Sequence, residues 1–179
     1  MRDLYEANAR QWVQDTANNE PAKTKTMAHL TRYDSTHGRF PGTVEWQQDK
    51  LVVNDDIIQI CHQEDLSQLP WTNFGIDVVL ECSGTFSNRS TAETHLEAGA
   101  KRVLFSQPAE ADVDATIIYG INHQVLSGDE TIISSASCST NCVVPVISVL
   151  NDSFGVDGGV ITTIPVSYTH LTLPTTPYV

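Results

Sequence analysis

The sequence predicts an α/β chain built on an open and mainly parallel sheet. Three observations carry this. From about residue 69 onward short apolar runs alternate with segments of helical period. The runs are too continuously apolar for strands with one wet face, which is the habit of parallel strands buried on both sides. Ser- and Gly-containing loops follow three of the runs, at the strand ends where ligands of such sheets bind.

The elements follow in order. Residues 3–11 read as the end of a helix, and residues 12–26 are polar without a clear period. A helix with the loop after it spans 27–39. Residues 43–46 and 50–53 then pair as a hairpin turning near 47–49, and 57–60 adds a short strand. After Leu69-Pro70-Trp71, strands are expected at 78–80, 102–105, 116–119, 131–133 and 160–164. Helices are expected at 91–98, ended by Gly99, and at 143–150, stopping near Gly155. The sequence holds no internal repeat.

Composition narrows the function. At 179 residues, with 40% hydrophobic and 18% charged, the chain can bury a core as one domain. Its net charge of −12 repels phosphate backbones and anionic lipid, which disfavours nucleic-acid and membrane-surface binding. No apolar run reaches the roughly 18 residues of a membrane span, and the first residues lack the apolar stretch of a signal peptide. A cytoplasmic address and reduced thiols are therefore expected of Cys61, Cys82, Cys138 and Cys142.

The stretch Ser134-Ser135-Ala136-Ser137-Cys138-Ser139-Thr140-Asn141-Cys142 carries the chemistry. It lies between a β-branched run and an apolar helix, so Cys138 is expected at a helix N-terminus. There the positive end of the helix dipole stabilises a thiolate, lowering a thiol pKa from about 8.5 and making it a nucleophile toward carbonyl carbon. Two other readings stand beside this one. Cys138 can be a small buried hydrophobe, or, with Cys142 at i+4 on the same helix face, half of a metal site that lacks further ligands. The other candidate loops are Ser83-Gly84-Thr85 and Ser106-Gln107-Pro108, whose residue types also serve ordinary turns.

Four ordered segments, Met27-Ala28-His29-Leu30, Tyr33-Asp34-Ser35-Thr36-His37-Gly38-Arg39-Phe40, Val78-Val79-Leu80-Glu81-Cys82-Ser83-Gly84 and Ala136 to Cys142, resemble the glyceraldehyde-3-phosphate dehydrogenase family over about residues 2–164. Leu69-Pro70-Trp71, Phe105-Ser106-Gln107-Pro108, Asp114 to Gly120 and Val144-Pro145-Val146-Ile147 look more like its erythrose-4-phosphate dehydrogenase branch. The resemblance implies a truncated Rossmann-like NAD-binding domain, NAD as cofactor, a phosphorylated aldehyde as substrate and a homotetrameric parent. It implies a thiohemiacetal and then a thioester on Cys138, released by water in the erythrose branch and by phosphate in the glyceraldehyde branch. Ser137 and Ser139 match substrate contacts; Ser83, Gly84 and Ser106 match positions near the nicotinamide; Glu20 matches an acidic residue for the adenosine ribose, although an exposed glutamate is also an ordinary solvated charge.

The chain also departs from that pattern. Its first glycine is Gly38, and it contains no G-x-G-x-x-G, so the first strand and its phosphate cradle are expected to be absent. Residues 12–18 should then be the second strand, although they are polar for that place. Pro165 stands where the resemblance puts the histidine base; His170 is nearby in sequence. The C-terminal catalytic domain is expected to be missing, and residues 165–179, uncharged and rich in Thr and Pro, resemble translated sequencing-adaptor DNA. These readings make the isolated chain an inactive fragment, with a vestigial binding or thiol protein as the alternative.

Overall fold

The computed structural model describes residues 13–34 and 37–164. The helix end expected at 3–11 and the tail at 165–179 lie outside these residues. Strand β1, Ala17–Asn19, pairs in parallel with β6, Asp56–Cys61. It is shorter and later than the expected strand over 12–18: Ala17 packs against the core, while residues 13–16 are polar apart from Val13, which is 46% exposed. Helix α1, Thr24–Arg32, starts before the expected position and buries Thr24, Met27, Ala28 and Thr31, a spacing that puts one helix face inward. The rest of the expected 27–39 unit is a two-stranded ribbon, β2 (Tyr33–Asp34) with β3 (Gly38–Arg39).

Strands β4, Val44–Gln47, and β5, Lys50–Val53, form the expected hairpin, and β5 pairs antiparallel with β6. The first sheet therefore runs β1-β6-β5-β4 with one parallel pair. Val44, Leu51, Val53, Ile58 and Ile60 bury one face of it against Met27 and Ala28 of α1 and against Phe40. The Arg32 guanidinium, donating to the Val44 carbonyl, ties the helix end to the sheet.

The second sheet is wholly parallel, in the order β7 (Val78–Glu81), β8 (Arg102–Phe105), β10 (Ile132–Ser134), β9 (Ala115–Thr116). Its register sets Glu81 beside Phe105 and Phe105 beside Ser134. Helix α2, Trp71–Phe74, precedes β7 and ends on Gly75, in the left-handed region at φ +63°. Helix α3, Arg89–Glu97, is capped by the Asn88 side chain, which accepts from Thr91 N at 3.0 Å. Phe105, Val103, Ile132, Val79, Trp71 and Ala92 form the core, and Cys61 joins it from the first sheet.

The parallel α/β character expected of the C-terminal part is present, as a truncated Rossmann-like arrangement. Residues 44–61, expected as a hairpin and a further strand, form a sheet of their own with β1, because they return by tight turns that only antiparallel strands accept. Burial on both faces is corrected: Val78 and Leu80 are each 46% exposed, since β7 alternates inward and outward. The expected strand at 116–119 shrinks to Ala115–Thr116. Residues 160–164 form no strand; Val160 is 97% exposed, and no neighbouring strand takes up the backbone groups there. Among the described residues no helix is long and apolar enough to cross a membrane.

Candidate functional site

Three loops leave the second sheet at the carboxyl ends of adjacent strands. Ser83-Gly84 follows β7, Ser106-Gln107 follows β8, and residues 135–138 follow β10. Backbone pairing continues past the strands and binds the loops to one another: Ser106 N donates to Glu81 O at 3.0 Å, and Ser135 N donates to Phe105 O at 2.9 Å. Gln107 closes the group. Its Nε2 donates to Phe86 O at 2.6 Å, and its carbonyl accepts from the buried Ser134 Oγ at 2.8 Å. Ser134 Oγ in turn accepts from Ala136 N at 3.1 Å.

Cys138 is the first residue of helix α4, Cys138–Phe154, and is exposed with a free thiol. The cap explains why the helix starts there: Ser137 Oγ accepts from Thr140 N at 3.0 Å. The Ser137 hydroxyl also lies 2.6 Å from Thr140 Oγ1 and 3.4 Å from Ser139 Oγ, so the hydroxyls around the cysteine form one cluster. Asn141 Nδ2 donates to Ser135 O at 2.6 Å and Ser137 O at 2.9 Å, fixing the approach to the helix. Just ahead of the cap, Ala136 is buried at φ +58°, a left-handed conformation that costs an alanine energy and sharpens the turn. The first amides of a helix lack partners within it and favour negative charge at that end. A thiol there is placed to act as a nucleophile.

Of the residues the sequence singled out, Cys138, Ser137, Ser139, Ser83, Gly84 and Ser106 lie together at one end of one sheet. Gln107, Asn141 and Ala136 lie in the stretches the sequence named, but their parts in holding the loops and the turn were not assigned there. Asn141 was open to detection, since an Asn four residues beyond a cap serine can reach back to its carbonyl. Ala136 was not, because nothing in its side chain marks a positive φ. The buried-hydrophobe reading of Cys138 is corrected by its exposure. Among the described residues no group of three His, Cys, Asp or Glu side chains is close enough to hold a metal.

Glu20 stands apart, directly after β1 in the other sheet. Its amide donates to Cys61 O at 3.0 Å, and its Oε1 accepts from Ala22 N at 3.1 Å. His62 Nδ1 lies 2.8 Å from its carbonyl oxygen. Beside it a cavity of about 390 Å³ is lined by Lys23, Thr24, Trp46, Asp49 and His62 among others, well removed in the sequence from the cysteine helix. Gly84, at φ +72°, has nothing within 4 Å of the point where a Cβ would stand, and Glu20 offers a carboxylate beside the first sheet. A glycine loop for the pyrophosphate is not present among the described residues.

The parallel sheet, with three loops at its carboxyl edge and an exposed cysteine on the following helix, places the chain among α/β proteins with a thiol at the sheet's loop edge. Comparison with protein families extends this. The family model of the glyceraldehyde 3-phosphate dehydrogenase NAD-binding domain matches residues 2–89. That of the C-terminal domain of the same family matches residues 137–173, taking in Cys138 and α4 and continuing into 165–173. Together the two cover more than half of the sequence, and the chain belongs to the glyceraldehyde-3-phosphate dehydrogenase family. NAD is the cofactor of that domain, and the family is one of NAD-dependent oxidoreductases acting on a phosphorylated aldehyde.

Proposed function

We propose that the chain is part of an aldehyde dehydrogenase that oxidises erythrose 4-phosphate to 4-phosphoerythronate, with Cys138 as the nucleophile. The observation that supports the nucleophile is the placement of an exposed cysteine on the first turn of α4, beside the loops that end β7 and β8; the erythrose branch rests on the resemblance of Leu69-Pro70-Trp71, Phe105 to Pro108, Asp114 to Gly120 and Val144 to Ile147. The Cys138 thiolate adds to the aldehyde carbon to give a thiohemiacetal; loss of hydride from that carbon leaves a thioester; water then cleaves the thioester, releasing the acid and the thiolate. NAD, when bound, accepts the hydride. Ser137 and Ser139 hold substrate oxygens, Ser83, Gly84 and Ser106 line the nicotinamide side, and Glu20 takes the adenosine ribose hydroxyls.

The chain by itself is inactive in this reading. The sequence holds no glycine-rich loop for a pyrophosphate, Pro165 offers no base, and loss of a general base costs about 10² to 10⁴ in rate. The foreign tail expected over 165–179 is cut back, since residues 165–173 fall within the match to the C-terminal domain; the parent is a cytoplasmic homotetramer. A second reading makes the substrate glyceraldehyde 3-phosphate with release by phosphate; the names of both matched family domains favour it. Protection of Cys138 from iodoacetamide separates the two. Erythrose 4-phosphate is expected to protect at lower concentration than glyceraldehyde 3-phosphate, and the reverse order would overturn the branch assignment. NADH formation from either aldehyde is expected to equal that of Cys138→Ala; turnover well above it would refute the inactivity.

A further inference from the structure

One buried polar chain lies behind the Ser83-Gly84 loop and plays no part in the chemistry above. Trp71, His95 and Glu81 are 4%, 3% and 6% exposed. The Trp71 indole N–H donates to His95 Nδ1 at 3.1 Å. An indole nitrogen can only donate, so Nδ1 must present its lone pair. The neutral ring then carries its proton on Nε2, which faces Glu81 Oε2 at 3.4 Å. The other carboxylate oxygen, Glu81 Oε1, accepts from Ser83 N at 2.8 Å, while the Glu81 carbonyl accepts from Ser106 N at 3.0 Å. Donors therefore run in one direction, from indole to imidazole to carboxylate, and the loop amide meets them from the far side. Burial pushes the Glu81 carboxyl up, but the hydrogen bonds from His95 and Ser83 outweigh it and leave it below the usual carboxylate range.

We propose that Glu81, held by a His95 fixed as its Nε2–H tautomer by Trp71, is the positioning residue of the Ser83-Gly84 loop. Its bearing on cofactor binding rests on the reading of that loop as a nicotinamide contact; the relay itself does not. The arrangement is directional, which a general packing role would not require. A glutamine at 81 has one acceptor and one donor end. If its oxygen keeps Ser83 N, its NH₂ meets the His95 Nε2–H; moving that proton to Nδ1 sets it against the Trp71 N–H. One link of the three must break.

The test uses the ¹⁵N-labelled full chain at pH 7.5. Long-range proton–nitrogen ring spectra are expected to show His95 in a single tautomer with the proton on Nε2. A ring protonated on Nδ1, or averaged between the two, would overturn the proposal. In Glu81→Gln, one of three readouts is expected to change, with Val103 and Phe105 amide exchange unaltered: about tenfold faster exchange of the Ser83 amide, faster exchange of the Trp71 indole N–H, or a changed His95 tautomer; all three as in wild type counts against it. Should that variant not fold, His95→Gln, which has a donor and an acceptor, is expected to keep Ser83 protected where His95→Leu loses it, and equal protection in the two overturns the relay. NAD added to the same wild-type sample tests the reading beneath: an unmoved Gly84 amide at saturating NAD refutes the cofactor placement while the tautomer result stands.

Discussion

Asp114 offers the sharpest quantitative handle on how the strand leading to the cysteine helix is held. One carboxylate oxygen, Oδ2, accepts from Thr131 N at 2.8 Å, Ile132 N at 2.9 Å and Thr131 Oγ1 at 3.1 Å, and the other takes the Arg89 guanidinium at the start of α3. These bonds join β9, β10 and α3 through one side chain. Asp114→Asn can keep an oxygen toward the backbone amides but turns an NH₂ toward Arg89. It loses a partly exposed ion pair and the charge assistance of the amide bonds, about 1–2 kcal/mol in all. Asp114→Ala leaves both amides without an acceptor, and Ile132, whose side chain is fully buried, lies at one of them; the cost rises to about 2–4 kcal/mol. Arg89 first, then the amides of Ile132 and Thr131, hold the Asp114 carboxyl well below the usual range. A depressed folded-state pKa gives stability that is present above the unfolded value, near 3.9, and is lost as pH falls toward the folded value. Urea unfolding followed by tryptophan fluorescence at pH 7, 5, 4 and 3 should therefore show the gap between wild type and Asp114→Asn constant from 7 to 5 and narrowing below 4. Equal costs for the two variants, or a gap unchanged at pH 3, would refute this account.

Three further outcomes are expected. Ser137→Ala removes the cap on Thr140 N and should lower stability by about 1 kcal/mol in the same urea assay, with helix signal lost first around Cys138 in hydrogen exchange. Gly99→Ala puts a Cβ 2.6 Å from Thr72 N at φ +111°, so it should cost more than about 1 kcal/mol by thermal or urea unfolding. Iodoacetamide, followed by peptide mass spectrometry near neutral pH, should label Cys138 faster than Cys82, because only Cys138 sits on a helix N-terminus. Cys61 should be slowest, since burial both shields its thiol and pushes its pKa up; equal rates at Cys138 and Cys82 would remove the argument for helix activation.

Much of the site was legible because it is local. A β-branched run before it and an apolar helical period after it put Cys138 at a helix N-terminus from the sequence alone, since periodicity acts over a few residues, while the Ser137 cap that starts α4 at Cys138, ahead of the expected 143, came from the structure. The hairpin at 44–53 and the strands at 78–81 and 102–105 were equally plain. The extent of 160–164 was not, because a β-branched run becomes a strand only when a neighbour accepts its backbone hydrogen bonds. The same holds for the outward face of β7, where Val78 and Leu80 read as buried until the packing around them is known.

What the sequence determined by itself is the nucleophile candidate, the helix that presents it and the family resemblance of its motifs. Tertiary structure decided which loops share the site. Parallel register brings Glu81, Phe105 and Ser134 side by side and so delivers Ser83, Ser106 and Cys138 to one edge, although they are far apart in the chain. It also decided that Trp71, His95 and Glu81 meet in the core, a direction of hydrogen bonding that no local pattern encodes because each partner comes from a different element.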